Sequence, residues 1–170
     1  YFCQNYYTMI KIKKLHHCAF RCRDTEETRK FYEEFLELKL VKALKISTTK
    51  TSRTTEVLHT FYKLGDGSSL AFFEDPTNFF EFKKQRDFDL HIALEVDNKN
   101  LIRLFKKGKA SNIETRGIIN HGFIQSAYFR DPNGYVIELS VPNPRDKKNT
   151  DKEIETILND WKKMKPESVY

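Results

Sequence analysis

Two imidazoles and one carboxylate, His17, His91 and Glu138, stand out because each lies in an otherwise apolar, strand-like run. Histidine nitrogens with a carboxylate oxygen are the donor set of open divalent-metal sites, where the remaining positions are left for substrate, O₂ or water. A lone histidine on a sheet is more often a hydrogen-bonded core residue, so recurrence and facing must carry the case. In residues 14–22 (KLHHCAFRC), strand alternation puts Leu15, His17, Ala19 and Arg21 on one side and His16, Cys18, Phe20 and Cys22 on the other. In residues 88–96 (FDLHIALEV), Asp89, His91, Ala93 and Glu95 oppose Leu90, Ile92, Leu94 and Val96. The aliphatic rows should meet helices, which turns His17 and His91 to the opposite, concave side. In the last strand, Gly134, Val136, Glu138 and Ser140 oppose Tyr135, Ile137, Leu139 and Val141, so Glu138 faces the same cavity. A carboxylate there is costly to bury unless paired or metal-bound, which supports the same three-residue site independently.

Other side chains are candidates for the same cavity. His59, within VLHTF, either reaches it from the third strand or is structural. Arg21, on the His17 side, either holds an anionic substrate group or pairs with Glu95. Phe72, with Phe73, Phe79, Phe80 and Phe82, either lines and lids the cavity or closes the core. His16 shares its face with Cys18 and Phe20 and is expected to pack against the helix layer.

The elements that must position these residues occur twice. A strand over 14–22 ends at Asp24, whose carboxylate begins a helix-start signal (Asp24-Thr25-Glu26-Glu27). Phe31, Phe35 and Leu36 at helical spacing then predict a helix of about three turns (~11 residues). Strands follow over 38–47, 54–64 and 68–74, the last two joined by Gly65-Asp66-Gly67. The order restarts with a strand over 88–96, a helix over 98–109 with Leu101, Leu104 and Phe105 on one face, and strands over 112–119, 122–130 and 135–141. The turn Asp131-Pro132-Asn133-Gly134 precedes the last strand. Corresponding positions recur at a nearly fixed interval: His17 to His91 is 74 residues, Gly67 to Gly134 is 67 and Pro76 to Pro142 is 66. Two copies of one βαβββ unit account for this.

The fold class is therefore α+β. Residues 1–11 form an N-terminal extension in which Met9 is a candidate start. Residues 12–141 form one domain, with module 1 at 12–76 and module 2 at 86–141, and residues 142–170 form a helical tail. In the tail, Ile154, Ile157, Leu158, Trp161 and Met164 make a stripe suited to covering the sheet or a neighbouring subunit.

Of 170 residues, 39% are hydrophobic and 32% charged, with 6 Gly and 5 Pro, which excludes collagen-like, low-complexity and disulfide-scaffold classes. The 14 Phe and 8 Tyr are unusual for so polar a chain and suggest an aromatic core or cavity. The formal charge of +6 is dispersed among acids, without an Arg-rich arm or zinc-finger spacing, so a solvated surface is expected and no nucleic-acid partner. Three cysteines, two in an expected buried strand, fit a reduced, cytoplasmic setting. No apolar run approaches the ~20 residues of a membrane span, so no membrane partner is expected.

Three segments together resemble the vicinal oxygen chelate superfamily (glyoxalase I, fosfomycin- and bleomycin-resistance proteins, methylmalonyl-CoA epimerase, type I extradiol dioxygenases). They are LHHCAFRC followed by Asp24–Tyr32, the strand DLHIALEVD, and the ending YFRDPNGYVIEL, in which Glu138 stands four residues after Gly134 as the family's ligand Glu does. The resemblance implies a cup-shaped mixed sheet around a divalent metal, with Fe(II) favoured and Mn(II), Zn(II) or Ni(II) as alternatives. It also implies a small-molecule substrate and a homodimer, the cup being built within one chain or between exchanged units of two chains. Glyoxalase-like members use a fourth ligand from the fourth strand. Matching Pro76 to Pro142 puts Phe72 where Glu138 sits, which leaves Glu74, on the Phe72 face, as the possible fourth ligand. Extradiol enzymes carry a Tyr ten residues before the ligand Glu, as Tyr128 precedes Glu138, so Tyr128 and the loop residue His121 become the implied catalytic pair. The expected activity is a non-haem Fe(II) extradiol-type dioxygenase acting on a catechol-like bidentate substrate. Alternatives are a glyoxalase-type lyase or isomerase, a fosfomycin-type thiol transferase, and a metal-free ligand-sequestering protein. Fold alone does not choose among them.

Overall fold

The computed structural model describes residues 12–48 and 54–165. The extension at 1–11, with Cys3 and Met9, lies outside the described residues. Among these residues, strand β1 (His17–Cys22) is followed by helix α1 (Thr25–Arg29), which runs on as a π-helical turn over Lys30–Phe35. Strands β2 (Lys39–Thr48), β3 (Thr54–Lys63) and β4 (Ser69–Glu74) complete the first unit. The second repeats it as β5 (His91–Glu95), α2 (Asn98–Ala110), β6 (Thr115–Asn120), β7 (Ile124–Arg130) and β8 (Val136–Pro142), and α3 (Asp151–Met164) follows. Asp24 caps the first helix as expected, accepting the Glu27 N–H at 2.7 Å, and Asp97 caps the second in the same way, accepting the Asn100 N–H at 2.7 Å. The first helix has the expected length, but its last turns widen, the Leu36 N–H reaching the Phe31 carbonyl at 3.0 Å.

Each module forms its own four-stranded sheet, in the orders β1-β4-β3-β2 and β5-β8-β7-β6, with the first-listed pair of each parallel. The two sheets share one core. Cys22, Phe31, Tyr32, Phe35, Leu70 and Phe72 of the first module cluster with Leu101, Leu104, Phe129, Ile137 and Leu139 of the second. The Asp131–Gly134 turn stitches the modules together: Asn133 Oδ1 accepts the Arg23 N–H at 2.8 Å, and Tyr32 donates to the buried Asp131 carboxylate at 3.1 Å. Gly134 holds φ +95°, and a Cβ there would collide with the Lys83 carbonyl, so glycine is required both for the turn and for the linker's close approach.

Helix α3 forms within the expected helical tail. None of its residues is buried, and Trp161 is 62% exposed, so it does not cover the sheet of its own chain. No helix among the described residues is long and apolar enough to cross a membrane.

The shared core makes stability sensitive to alkali. Burial pushes the Tyr62 and Tyr135 hydroxyls up to about 12 and Tyr32 well above its usual value, with the Asp131 charge adding to the effect at Tyr32 and Tyr135. The folded state thus holds these protons more tightly than the unfolded chain. Their stabilisation is complete below about pH 10 and is lost as pH climbs through the folded values, at on the order of 1 kcal/mol per pH unit for each group. Urea midpoints should stay level to about pH 10 and then fall, with the share of tyrosinate absorbance owed to these three residues appearing only along with unfolding. Ordinary titration of all eight tyrosines with the fold intact would contradict this core.

Candidate metal centre

Each sheet turns one face to the shared core, and His17, His91 and Glu138 lie on the other. On the second sheet, β5 and β8 run in parallel register with Ala93 opposite Glu138, which sets Glu138 beside His91 on one face. His91 Nε2 lies 3.3 Å from Glu138 Oε2. The other imidazole nitrogen, Nδ1, is 2.6 Å from the Asp87 carbonyl and must donate to it. In the neutral ring this leaves the Nε2 lone pair directed at the carboxylate. An unprotonated nitrogen and a carboxylate oxygen facing each other at that separation suit a shared cation, so the donor set fits a divalent metal.

Glu138 is only 4% exposed. Its Oε1 accepts hydrogen bonds from Tyr128 Oη and Ser140 Oγ, each at 3.1 Å. Tyr128 lies directly across from Glu138 in the β7–β8 register, which settles its facing. His121 Nε2 is 2.9 Å from Tyr128 Oη. Because Tyr128 gives its only proton to Glu138, His121 Nε2–H donates to Tyr128, and Nδ1 is then the basic nitrogen of that ring. Burial, followed by the Glu138 charge, raises the Tyr128 hydroxyl above its usual value and keeps it protonated at neutral pH.

On the first sheet, His17 and His59 share the outward face, their ring centroids 6.4 Å apart. His59 is buried on this face. Its ring stacks on Phe73 at 3.6 Å, its Nδ1 lies 3.0 Å from the Phe72 carbonyl, and burial lowers its basicity. His16 does not pack against the helices. It is exposed just before β1, with its Nδ1 2.8 Å from His17 Nδ1. The common core separates His17 from His91 and Glu138, and no group of three or more His, Cys, Asp or Glu side chains is gathered around a metal-sized point among the described residues.

Three expectations are corrected. Glu74 is not available as a fourth ligand: it shares the core-side face with Cys22, and its Oε2 accepts the Thr25 N–H at 2.6 Å, anchoring the start of α1. Phe72 closes the core and does not line the outward face, being fully buried against Tyr32 at 4.6 Å and Phe20 at 5.9 Å between ring centres. The residue equivalent to Glu138 is Ala71, paired with Ala19 as Glu138 is with Ala93. Arg21 does not pair with Glu95, its carboxylate partner being Asp75 at 3.6 Å. Its guanidinium is engaged by the Asp75 and Asn78 carbonyls at 2.8 and 2.9 Å and lies under Phe80.

Beside the network, a cleft of about 50 Å³ opens between Asp87, Arg116, Tyr128 and Val136. That is well below the roughly 300 Å³ of a typical ligand pocket, so one chain leaves this face uncovered. Sequence reasoning missed Asp87 and Arg116. Asp87 acts on His91 through its backbone carbonyl, which carries no side-chain signature, and Arg116 lies in a strand whose register the sequence does not reveal.

A comparison with curated proteins returned no match. Among solved structures, the chain is similar to a glyoxalase/dioxygenase from Nostoc punctiforme, at 21% identity over 77% of this chain and 92% of that one, with a TM-score of 0.60. It is similar to the trypanothione-dependent glyoxalase I of Leishmania major, at 19% identity over 90% and 98% of the two chains, with a TM-score of 0.58. A mutant of the fosfomycin resistance protein FosX from Listeria monocytogenes, solved with Mn(II) and 1S,2S-dihydroxypropylphosphonic acid, aligns at 17% identity over 85% and 99%, with a TM-score of 0.57. These likenesses speak to the fold. The family model described as Glyoxalase/Bleomycin resistance protein/Dioxygenase superfamily matches residues 14–139, and the chain belongs to that superfamily.

Proposed function

We propose that the protein is a divalent-metal enzyme whose site is completed by two copies of the chain, His91 and Glu138 of one with His17 of the other. Its best-supported activity is an extradiol-type oxygenation of a small catechol-like substrate that binds through two adjacent oxygens. The observation that carries this reading is the series His121, Tyr128, Glu138, His91 along one sheet face, hydrogen-bonded from His121 to Glu138 and continued by His91 Nε2 at 3.3 Å from the carboxylate. With Ala71 in the place of a fourth ligand and Glu74 engaged at a helix start, the set stops at three protein donors. Three positions of an octahedral ion are then free for a bidentate substrate and one further small ligand. When bound, such an ion supplies Lewis acidity and, as Fe(II), redox access to O₂.

The side chains supply the proton handling. His121 Nδ1 is suited to take a proton from a substrate hydroxyl, because Nε2–H is committed to Tyr128. Tyr128 Oη holds the Glu138 carboxylate in one orientation. The face outside these residues is open, and a second chain laid over it would exclude water.

Anaerobic loading with Fe(II), followed by oxygen-uptake measurements over a panel of catechols, tests the activity. Uptake with at least one member is expected. Metal binding without any uptake would move the assignment to the non-redox lyase, isomerase or thiol-transfer chemistry of the superfamily, with Mn(II), Ni(II) or Zn(II). Tyr128→Phe keeps the ring and removes the hydroxyl. Turnover should fall about 100-fold, because His121 Nε2–H loses the acceptor that leaves Nδ1 as the base, while metal affinity changes less because Ser140 still donates to Glu138. Equal losses of turnover and metal affinity would instead make Tyr128 a support of the ligand alone.

A further inference from the structure

Arg116 closes the polar network at its outer edge. It stands across from Tyr128 in the β6–β7 register, so Arg116, Tyr128, Glu138 and Ala93 form one row across the sheet. Immediately after it the pairing slips by one residue between Gly117 and Ile119. Gly117 holds φ +109°, and a Cβ there would sit 2.7 Å from the Ser126 carbonyl oxygen, so the bulge depends on glycine and fixes the strand's course beside Arg116. The guanidinium lies 4.7 Å from the Tyr128 ring centre and pairs with the Asp87 carboxylate. The backbone carbonyl of the same Asp87 receives His91 Nδ1–H. The contacts therefore form a closed ring, from Asp87 through His91, Glu138, Tyr128 and Arg116 back to Asp87.

We infer that Arg116 and Asp87 are positioning residues that set the affinity of the His91–Glu138 pair for a divalent cation. The inference rests on the reading of those two residues as ligands. Without the clamp, the turn at 86–90 is held by two N–H bonds to the Arg86 carbonyl and an exposed Arg86–Asp89 pair. The Asp87 carbonyl is then free to turn from His91, the imidazole loses its enforced tautomer, and Tyr128 loses the cation packed on its ring. Outer contacts of this kind typically govern metal affinity by 10- to 100-fold.

The sign of the effect separates positioning from simple electrostatics. Arg116 is a positive charge near a cation site, so its removal should tighten binding if charge alone matters. Positioning requires the opposite. Co(II) affinity of the full chain, by chelator competition and the visible Co(II) spectrum, tests this in Arg116→Gln, Arg116→Lys, Asp87→Asn and the double variant Asp87→Asn/Arg116→Gln, with urea midpoints in parallel. Arg116→Gln should bind about 10-fold more weakly with an altered spectrum, and Arg116→Lys, which keeps the pair, should stay within about 3-fold of the unaltered protein. The double variant should be no worse than the weaker single one, as for two residues acting as one unit. Unchanged or tighter binding by Arg116→Gln, a shifted urea midpoint with unshifted affinity, or additive losses would each overturn the inference while leaving the ligand assignment standing. Failure of the unaltered protein to bind Co(II) would overturn both.

Discussion

Glu138→Gln is expected to abolish divalent-metal binding, by more than about 100-fold in affinity, and to leave the metal-free fold as stable as before or more so. The two halves of this result have one cause. Glu138 is nearly inaccessible to water, and its partners are two hydroxyls and one imidazole nitrogen, with no Arg or Lys among them. An ionised carboxylate in that setting is costly to desolvate. The amide is isosteric, and its oxygen still accepts from Tyr128 and Ser140. Its N–H₂ can donate to His91 Nε2, whose lone pair is exposed because Nδ1–H is held by the Asp87 carbonyl. The substitution thus satisfies every buried polar atom while removing the negative charge that a cation needs. A purely structural ion pair between Glu138 and a protonated His91 predicts the reverse, a loss of about 3–5 kcal/mol on breaking a buried pair. A urea midpoint and a metal titration on the same sample distinguish the cases. A sharply lowered midpoint with unaltered metal affinity would remove Glu138 from the site.

The facing of Glu138 was legible in the sequence because strands alternate with period two, and one apolar row suffices to define the opposite one. The same rule put His17 and His91 on the strand faces turned away from the core. The facing of Tyr128 was within reach by a further step. The β7–β8 hairpin turns about Asn133, so residues equidistant from 133 face each other, and Tyr128 and Glu138 are such a pair. Glu74 and Phe72 went to the wrong face through a one-residue offset. The Pro76 to Pro142 interval is 66 residues and the Gly67 to Gly134 interval is 67. The second gives the true equivalence of Ala71 with Glu138, and a slip of one residue exchanges the two faces of a strand. The relation between modules was not legible at all. Apolar helix faces state that something must cover them, and the pattern is the same whether the covering sheet belongs to their own module or to the shared core found here.

That shared core leads to the second large effect, which is obtained by mixing variants. His17→Ala and His91→Ala, each prepared alone, should bind metal at least about 100-fold more weakly than the unaltered protein, because each removes one donor from every site. If the site joins His17 of one chain to His91 and Glu138 of another, co-refolding the two variants in equal amounts restores function to a defined extent. Half of the resulting dimers pair the two variants. In each of these, one site lacks both histidines and the other, built from the intact His17 of one chain and the intact His91 and Glu138 of the other, is complete. About one quarter of all sites should then regain metal binding and turnover. A site assembled within a single chain predicts no recovery at any ratio. The geometry favours recovery: His17 and the His91–Glu138 pair lie on the outward faces of two sheets whose inward faces are occupied by the same core, and a second copy can present the missing face without disturbing that core. Recovery well above one quarter would mean that unlike chains pair preferentially, and its complete absence would return the search for a third ligand to residues within one chain.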